Sequence, residues 1–179
     1  MGLNDTLTLA TESLKKNKIA HALIGGFALA AYGVARATQD IDLLVDGSNK
    51  NNVKNVIIDA GFKVVYESEE VLQLSGAGQL DFLFANREST QKMLENAKAI
   101  HQLPVSVVTL EDLVALKIQA YVNDPKREFQ DKADILALFQ NNSDINFDKI
   151  KEYADMFNEW ANIEEIKSKL WAIQIIFSF

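Results

Sequence analysis

The chain has 179 residues, with 18 Lys and Arg against 25 Asp and Glu, a formal charge of −7 and a pI near 4.9. A hydrophobic fraction of 48% with 24% charged residues fits one globular domain, or one domain with a helical appendage, and excludes a disordered chain. The acidic balance argues against a broad nucleic-acid footprint, because phosphate neutralisation needs a basic surface. Cysteine is absent, which removes thiol nucleophiles, disulfides and thiolate zinc sites and agrees with a cytoplasmic setting. Only His21 and His101 carry imidazoles, so chemistry is expected to fall to carboxylates. Residues 1–18 are polar and mixed, without the pattern of a secretory signal; the Met-Gly start with Thr6 matches an acylation signal only superficially. No apolar run approaches the roughly 20 residues that span a bilayer, so no membrane partner is expected.

In chain order, the compact apolar run 19–24 ends at Gly25-Gly26 and predicts a strand stopping at a tight turn. Residues 27–32 predict a short helix closed by Gly33, and the alternation at 40–45 predicts a strand. A helix over 50–60 is followed by strands at 62–66, 71–75 and 80–84, with Gly76 and Gly78 turning the last pair. A helix over 89–99 and a strand at 105–108 complete this part. Beyond it the period becomes helical, with helices at 110–121, 128–140, 146–160 and 163–175 and a break at Pro125. The expected architecture is therefore α+β, a mixed sheet flanked by helices over 1–108 followed by a helical region over 109–179.

Asp40 and Asp42 stand two apart in a predicted strand, so both side chains leave one face while Ile41 and Leu43 leave the other. Neighbouring carboxylates repel each other, and a divalent cation removes that penalty. Mg²⁺ is suited to such a pair because it completes its shell with water and substrate phosphate oxygens. Upstream, Leu23-Ile24-Gly25-Gly26 runs from a strand into a turn where backbone can approach a phosphate closely. Arg36 and Thr38 precede the acidic strand and supply a guanidinium fork and a hydroxyl. Asp46, next to Gly47, reads as a loop residue.

The stretch Ile24-Gly25-Gly26 to Asp40-Ile41-Asp42-Leu43 resembles the signature of the polymerase-beta-type nucleotidyltransferase superfamily. The fuller run over 23–46, LIGGFALAAYGVARATQDIDLLVD, is similar to small bacterial AbiEii-type and antibiotic-modifying members, some of which are toxins of toxin–antitoxin pairs. The resemblance implies a third carboxylate on a neighbouring strand, and Asp81 in Gln79-Leu80-Asp81-Phe82 is the candidate; a solvated face is the plainer alternative. It further implies that Lys117, on the helix starting at Leu110, serves the nucleotide phosphates. Arg127–Ile135 resembles the stretch that follows, with Asp131 and Asp134 at its acidic positions and Gln130 where a basic residue is usual.

The reading that results is a nucleotidyltransferase moving an NMP from a nucleoside triphosphate to a hydroxyl acceptor with release of pyrophosphate. Asp40, Asp42 and Asp81 would hold two Mg²⁺ ions, and Gly25, Gly26, Arg36, Thr38 and Lys117 the nucleotide. The alternatives are a toxin acting on an RNA end, with an antitoxin or second subunit as partner, and a nucleotide-binding protein without chemistry. His21 reads as a packed core histidine, Lys15, Lys16 and Lys18 as a solvated helix end, and Trp160, Trp171 and the tail 171–179 as packing elements.

Overall fold

The computed structural model describes residues 2–100 and 103–176, with side chains described as far as Leu170. His101, the Trp171 side chain and the expected packing of the tail 171–179 therefore lie outside the described residues. The chain divides into two compact units: Met1–Ala31 with Arg36–Thr109, and Tyr32–Ala35 with Leu110–Phe179.

The first unit opens with helix α1 (Leu3–Lys16), which the polar sequence disguises. Its buried stripe includes Thr6 and Thr11 beside Leu7, Ala10 and Leu14. Thr11 belongs there because its hydroxyl donates to the Leu7 carbonyl at 2.8 Å, satisfying the buried oxygen locally. Then follow β1 (His21–Ile24), α2 (Gly25–Ala31), β2 (Asp40–Asp46), α3 (Lys50–Asp59), β3 (Lys63–Glu67), β4 (Val71–Ser75) and β5 (Gln79–Ala85). Helix α4 (Glu88–Glu95) and the short strands β6 (Lys98–Ala99) and β7 (Ser106–Val107) complete it. The expected helix over 89–99 is thus corrected: it stops at Glu95, and Lys98 and Ala99 pair with Val107 and Ser106. Backbone hydrogen bonds to a neighbouring strand override the helical propensity of this end.

Seven strands form one mixed sheet in the order β3-β4-β5-β2-β1-β7-β6. Strand β2 runs antiparallel to β1 and parallel to β5, so the Gly-Gly end of β1, the start of β2 and the start of β5 meet at one place. Ile41, Leu43, Leu72, Leu74, Leu80 and Phe82 are buried and form the core face of β2, β4 and β5. Helix α1 packs on α3 and on β2, and Leu7, Leu14, Val53 and Ile57 are fully buried.

The second unit contains α5 (Leu110–Asn123), α6 (Glu128–Asn141), α7 (Phe147–Met156) and α8 (Trp160–Ile176). Helix α5 packs on α6 and α7, and α8 on α6 and α7. The expected single helix over 146–160 is shorter, since α7 ends at Met156 and Asn158 takes a positive φ of 59° before α8 begins. Among the described residues no helix is long and apolar enough to cross a membrane.

Candidate functional site

Local sequence places the carboxylates. Alternation in β2 buries Ile41 and Leu43 completely and turns Asp40 and Asp42 to the opposite, partly open face. The same alternation in β5 buries Leu80 and Phe82 and turns Asp81 outward. Parallel pairing sets Asp42 directly opposite Asp81 and Asp40 opposite Gln79. Each of Asp40, Asp42 and Asp81 thereby offers one oxygen within 4.8 Å of the others.

Hydrogen bonds from Thr38 and Gln73 orient Asp40 and Asp81. Thr38 Oγ1 donates to Asp40 Oδ1 at 2.7 Å, and Gln73 Nε2, from β4, donates to Asp81 Oδ2 at 2.7 Å. Burial raises the Asp81 pKa above the ordinary carboxylate range; the Gln73 hydrogen bond opposes that, and the Asp40 charge adds to it.

The Gly-Gly turn lies against the same cluster. Gly25 has φ +68°, and a Cβ on it would overlap the Asp42 carboxylate. Only glycine fits both the backbone conformation and the close approach. A Cβ on Gly26 would stand 2.8 Å from Thr38 Oγ1 and 3.4 Å from an Arg36 guanidinium nitrogen. The structure therefore brings Gly25, Gly26, Arg36, Thr38, Asp40, Asp42 and Asp81 together in the first unit. Asp46, expected in a loop, is instead the last residue of β2 and caps the following turn, accepting from the Ser48 amide at 3.0 Å.

Lys117 lies in the second unit, on α5. Its side chain is buried, with Nζ 2.8 Å from Asp131 Oδ1 and 2.6 Å from Asp134 Oδ2. Arg127 also binds Asp131, through Nε at 3.1 Å, and Gln130 donates to Asp134 at 2.9 Å. The acidic positions of the Arg127–Ile135 stretch thus hold the lysine, and Gln130 serves Asp134 in place of a basic residue. His21 is partly buried, its Nδ1 is 2.8 Å from the Ile19 carbonyl, and desolvation lowers its pKa, which accords with a packed, neutral imidazole. Sequence reasoning missed Gln73. Its signal was the alternation of β4, which sets it between buried Leu72 and Leu74 on the carboxylate face.

Three carboxylates at this spacing, beside a turn that admits a close ligand, are a hard-oxygen donor set suited to a divalent cation such as Mg²⁺. The fold around them is that of the nucleotidyltransferases, a mixed sheet flanked by helices with helices following it. No protein-family model and no curated protein matches the sequence. Solved structures do. The antibiotic-resistance factor ANT(2'')-Ia aligns with a TM-score of 0.66 at 14% identity, over 93% of this chain and 99% of its own. A nucleotidyltransferase-like protein from Paracoccidioides brasiliensis aligns with a TM-score of 0.55 at 16% identity, over 92% and 91%. The lincosamide antibiotic adenylyltransferase LnuA aligns at 0.54 and 18%, over 76% and 96%. At these identities the shared property is the fold.

Proposed function

We propose that this chain is a Mg²⁺-dependent nucleotidyltransferase of the polymerase-beta type, passing an NMP from a nucleoside triphosphate to a hydroxyl acceptor. The observation that carries the reading is the convergence of Asp40, Asp42 and Asp81 on one point beside the Gly25-Gly26 turn. The fold of the structural neighbours supports it.

In this reading Asp40 and Asp42 take the triphosphate side and Asp81 the acceptor side of a two-ion site. Mg²⁺ held by these carboxylates would neutralise phosphate charge and make the acceptor hydroxyl more acidic. The Gly25-Gly26 turn admits the phosphates closely, and Arg36 supplies a guanidinium to them. Thr38 orients Asp40 through its hydroxyl. Asp81 accepts the acceptor's proton as the new oxygen–phosphorus bond forms at the α-phosphorus. The bond from the α-phosphorus to the bridging oxygen breaks, and its electron pair leaves with pyrophosphate. Lys117 enters as a support, since a phosphate would have to displace Asp131 or Asp134 to reach its ammonium.

Thermal unfolding with Mg²⁺ and a nucleoside triphosphate tests the site. Ligand at a hundredfold excess over Kd stabilises the folded state by about 2.7 kcal/mol. Wild type should show a correspondingly raised Tm, and Asp42→Ala should lose most of the shift. Equal shifts in both proteins would place the ligands elsewhere.

A further inference from the structure

The open face that carries Asp42 and Asp81 does not end at β5. Asp42 lies opposite Asp81, Asp81 opposite Gln73, and Gln73 opposite Tyr66, one row across β2, β5, β4 and β3. A second row, Asp40, Gln79, Ser75 and Lys63, runs beside it. Directly opposed residues share a face of a sheet, so these side chains stand on the side of the carboxylates.

Tyr66 reaches the row because β3 is bulged. Lys63 opposes Ser75 and Val64 opposes Leu74, and an unbroken ladder would next set Val65 opposite Gln73 and turn Tyr66 to the core face with Leu72. The register instead shifts between Val64 and Tyr66, which brings Tyr66 opposite Gln73. Re-aiming a side chain in this way is a recurrent use of bulges beside functional sites. Glu67 agrees with the shift: it opposes buried Leu72 and forms an ion pair with Lys54 of α3 on the helix-covered side. Tyr66 remains 54% exposed and Val65, the extra residue, 67% exposed.

We propose, resting on the nucleotidyl-transfer reading above, that the β4–β3 extension is the acceptor platform and that the acceptor is an uncharged cyclic polyol of disaccharide size. Two strand spacings separate Asp81 from Tyr66, about 10 Å, so a molecule presenting its hydroxyl at Asp81 reaches the tyrosine through a second ring. The tyrosine ring offers an apolar surface to the C–H face of a sugar. Ser75, Gln73 and Gln79 are neutral hydrogen-bonding groups suited to hydroxyls. Lys63 is the only charged side chain that β3 and β4 place on this face. One cation gives little hold on a string of RNA phosphates, and the absence of acidic side chains from these two strands' share of the face disfavours a polycationic amino sugar.

Saturation-transfer NMR of the apo protein with maltose, lactose and trehalose reads binding without chemistry. Label transfer from an α-labelled triphosphate, on the same proteins, reads the reaction. At least one disaccharide should bind wild type and Tyr66→Phe alike, and bind Tyr66→Ala about tenfold or more weakly. The acceptor KM should rise by a similar factor in Tyr66→Ala while kcat and Mg²⁺–nucleotide affinity stay within about twofold. No disaccharide binding, equal binding by Tyr66→Ala, or label passing instead to RNA or to an amino sugar would overturn the platform. Tyr66-dependent disaccharide binding with no label transfer to any acceptor would support the platform and overturn the nucleotidyl-transfer reading, which separates the two failures.

Discussion

Two acidic clusters in this molecule use the same side chain in opposite ways. In the second unit, Asp131 and Asp134 close around the buried ammonium of Lys117, and Arg127 and Gln130 occupy further carboxylate oxygens. In the first unit, Asp40, Asp42 and Asp81 are collected around one point on a partly open face, where Thr38 donates to Asp40 and Gln73 to Asp81. The first arrangement is complete in itself and holds helices together. The second gathers three carboxylates at one point, an arrangement whose mutual repulsion a divalent cation would relieve. Side-chain type alone does not separate the two; the partners do.

The comparison breaks most readily at Lys117. Lys117→Met leaves two buried carboxylates without their ammonium, and breaking a buried pair from one side costs about 3–5 kcal/mol. Urea unfolding should show that loss, and a change under about 1 kcal/mol would mean that the buried network contributes little to stability.

A smaller effect is expected at the turn. Gly25→Ala forces a Cβ into the Asp42 carboxylate at a positive φ, a strain of about 1–3 kcal/mol. Mg²⁺–nucleotide affinity measured by calorimetry should fall with it, because the new methyl group displaces Asp42. Unchanged affinity would detach the turn from the site.

The smallest effect has the opposite sign to that at Lys117. Asp81→Asn in the apo protein, with chelator present, should raise Tm slightly. The folded-state pKa of Asp81 lies above its unfolded value, so its charge opposes folding at neutral pH. That penalty is complete above the folded-state pKa and disappears as pH falls below the unfolded value near 3.8. The advantage of the variant should therefore be present at pH 7 and vanish at strongly acid pH. A loss of stability at pH 7 would show that Asp81 is held as a structural anion, like Asp131.

Much of this contrast was legible in the sequence, and the parts that were not have physical causes. The alternation around Asp40, Asp42 and Asp81 dictated which face each would take, because strands that bury Ile41 and Leu43, and Leu80 and Phe82, have no other choice. Of helix α1 only the lysine-rich end was legible, because Thr6 and Thr11 occupy positions where an apolar residue would have shown the helical period. The setting of Lys117 was not legible, since a buried ammonium and a solvated one look alike until the helix carrying Asp131 and Asp134 packs against it. The bulge at Val65 left no local mark, as it depends on the register with β4.

The central claim is that the carboxylate cluster performs transfer chemistry, and Asp81 tests it most directly. Calorimetry of Mg²⁺–nucleotide binding and label transfer from an α-labelled triphosphate should be measured together on wild type and Asp81→Asn. In the proposed reading Asp40 and Asp42 would still anchor the metal-bound triphosphate in the variant, so affinity should fall only modestly. Transfer should fall by roughly 10²–10³-fold, the size of losing one group that stabilises charge in the transition state. Equal losses of binding and transfer, or wild-type transfer by Asp81→Asn, would contradict the account.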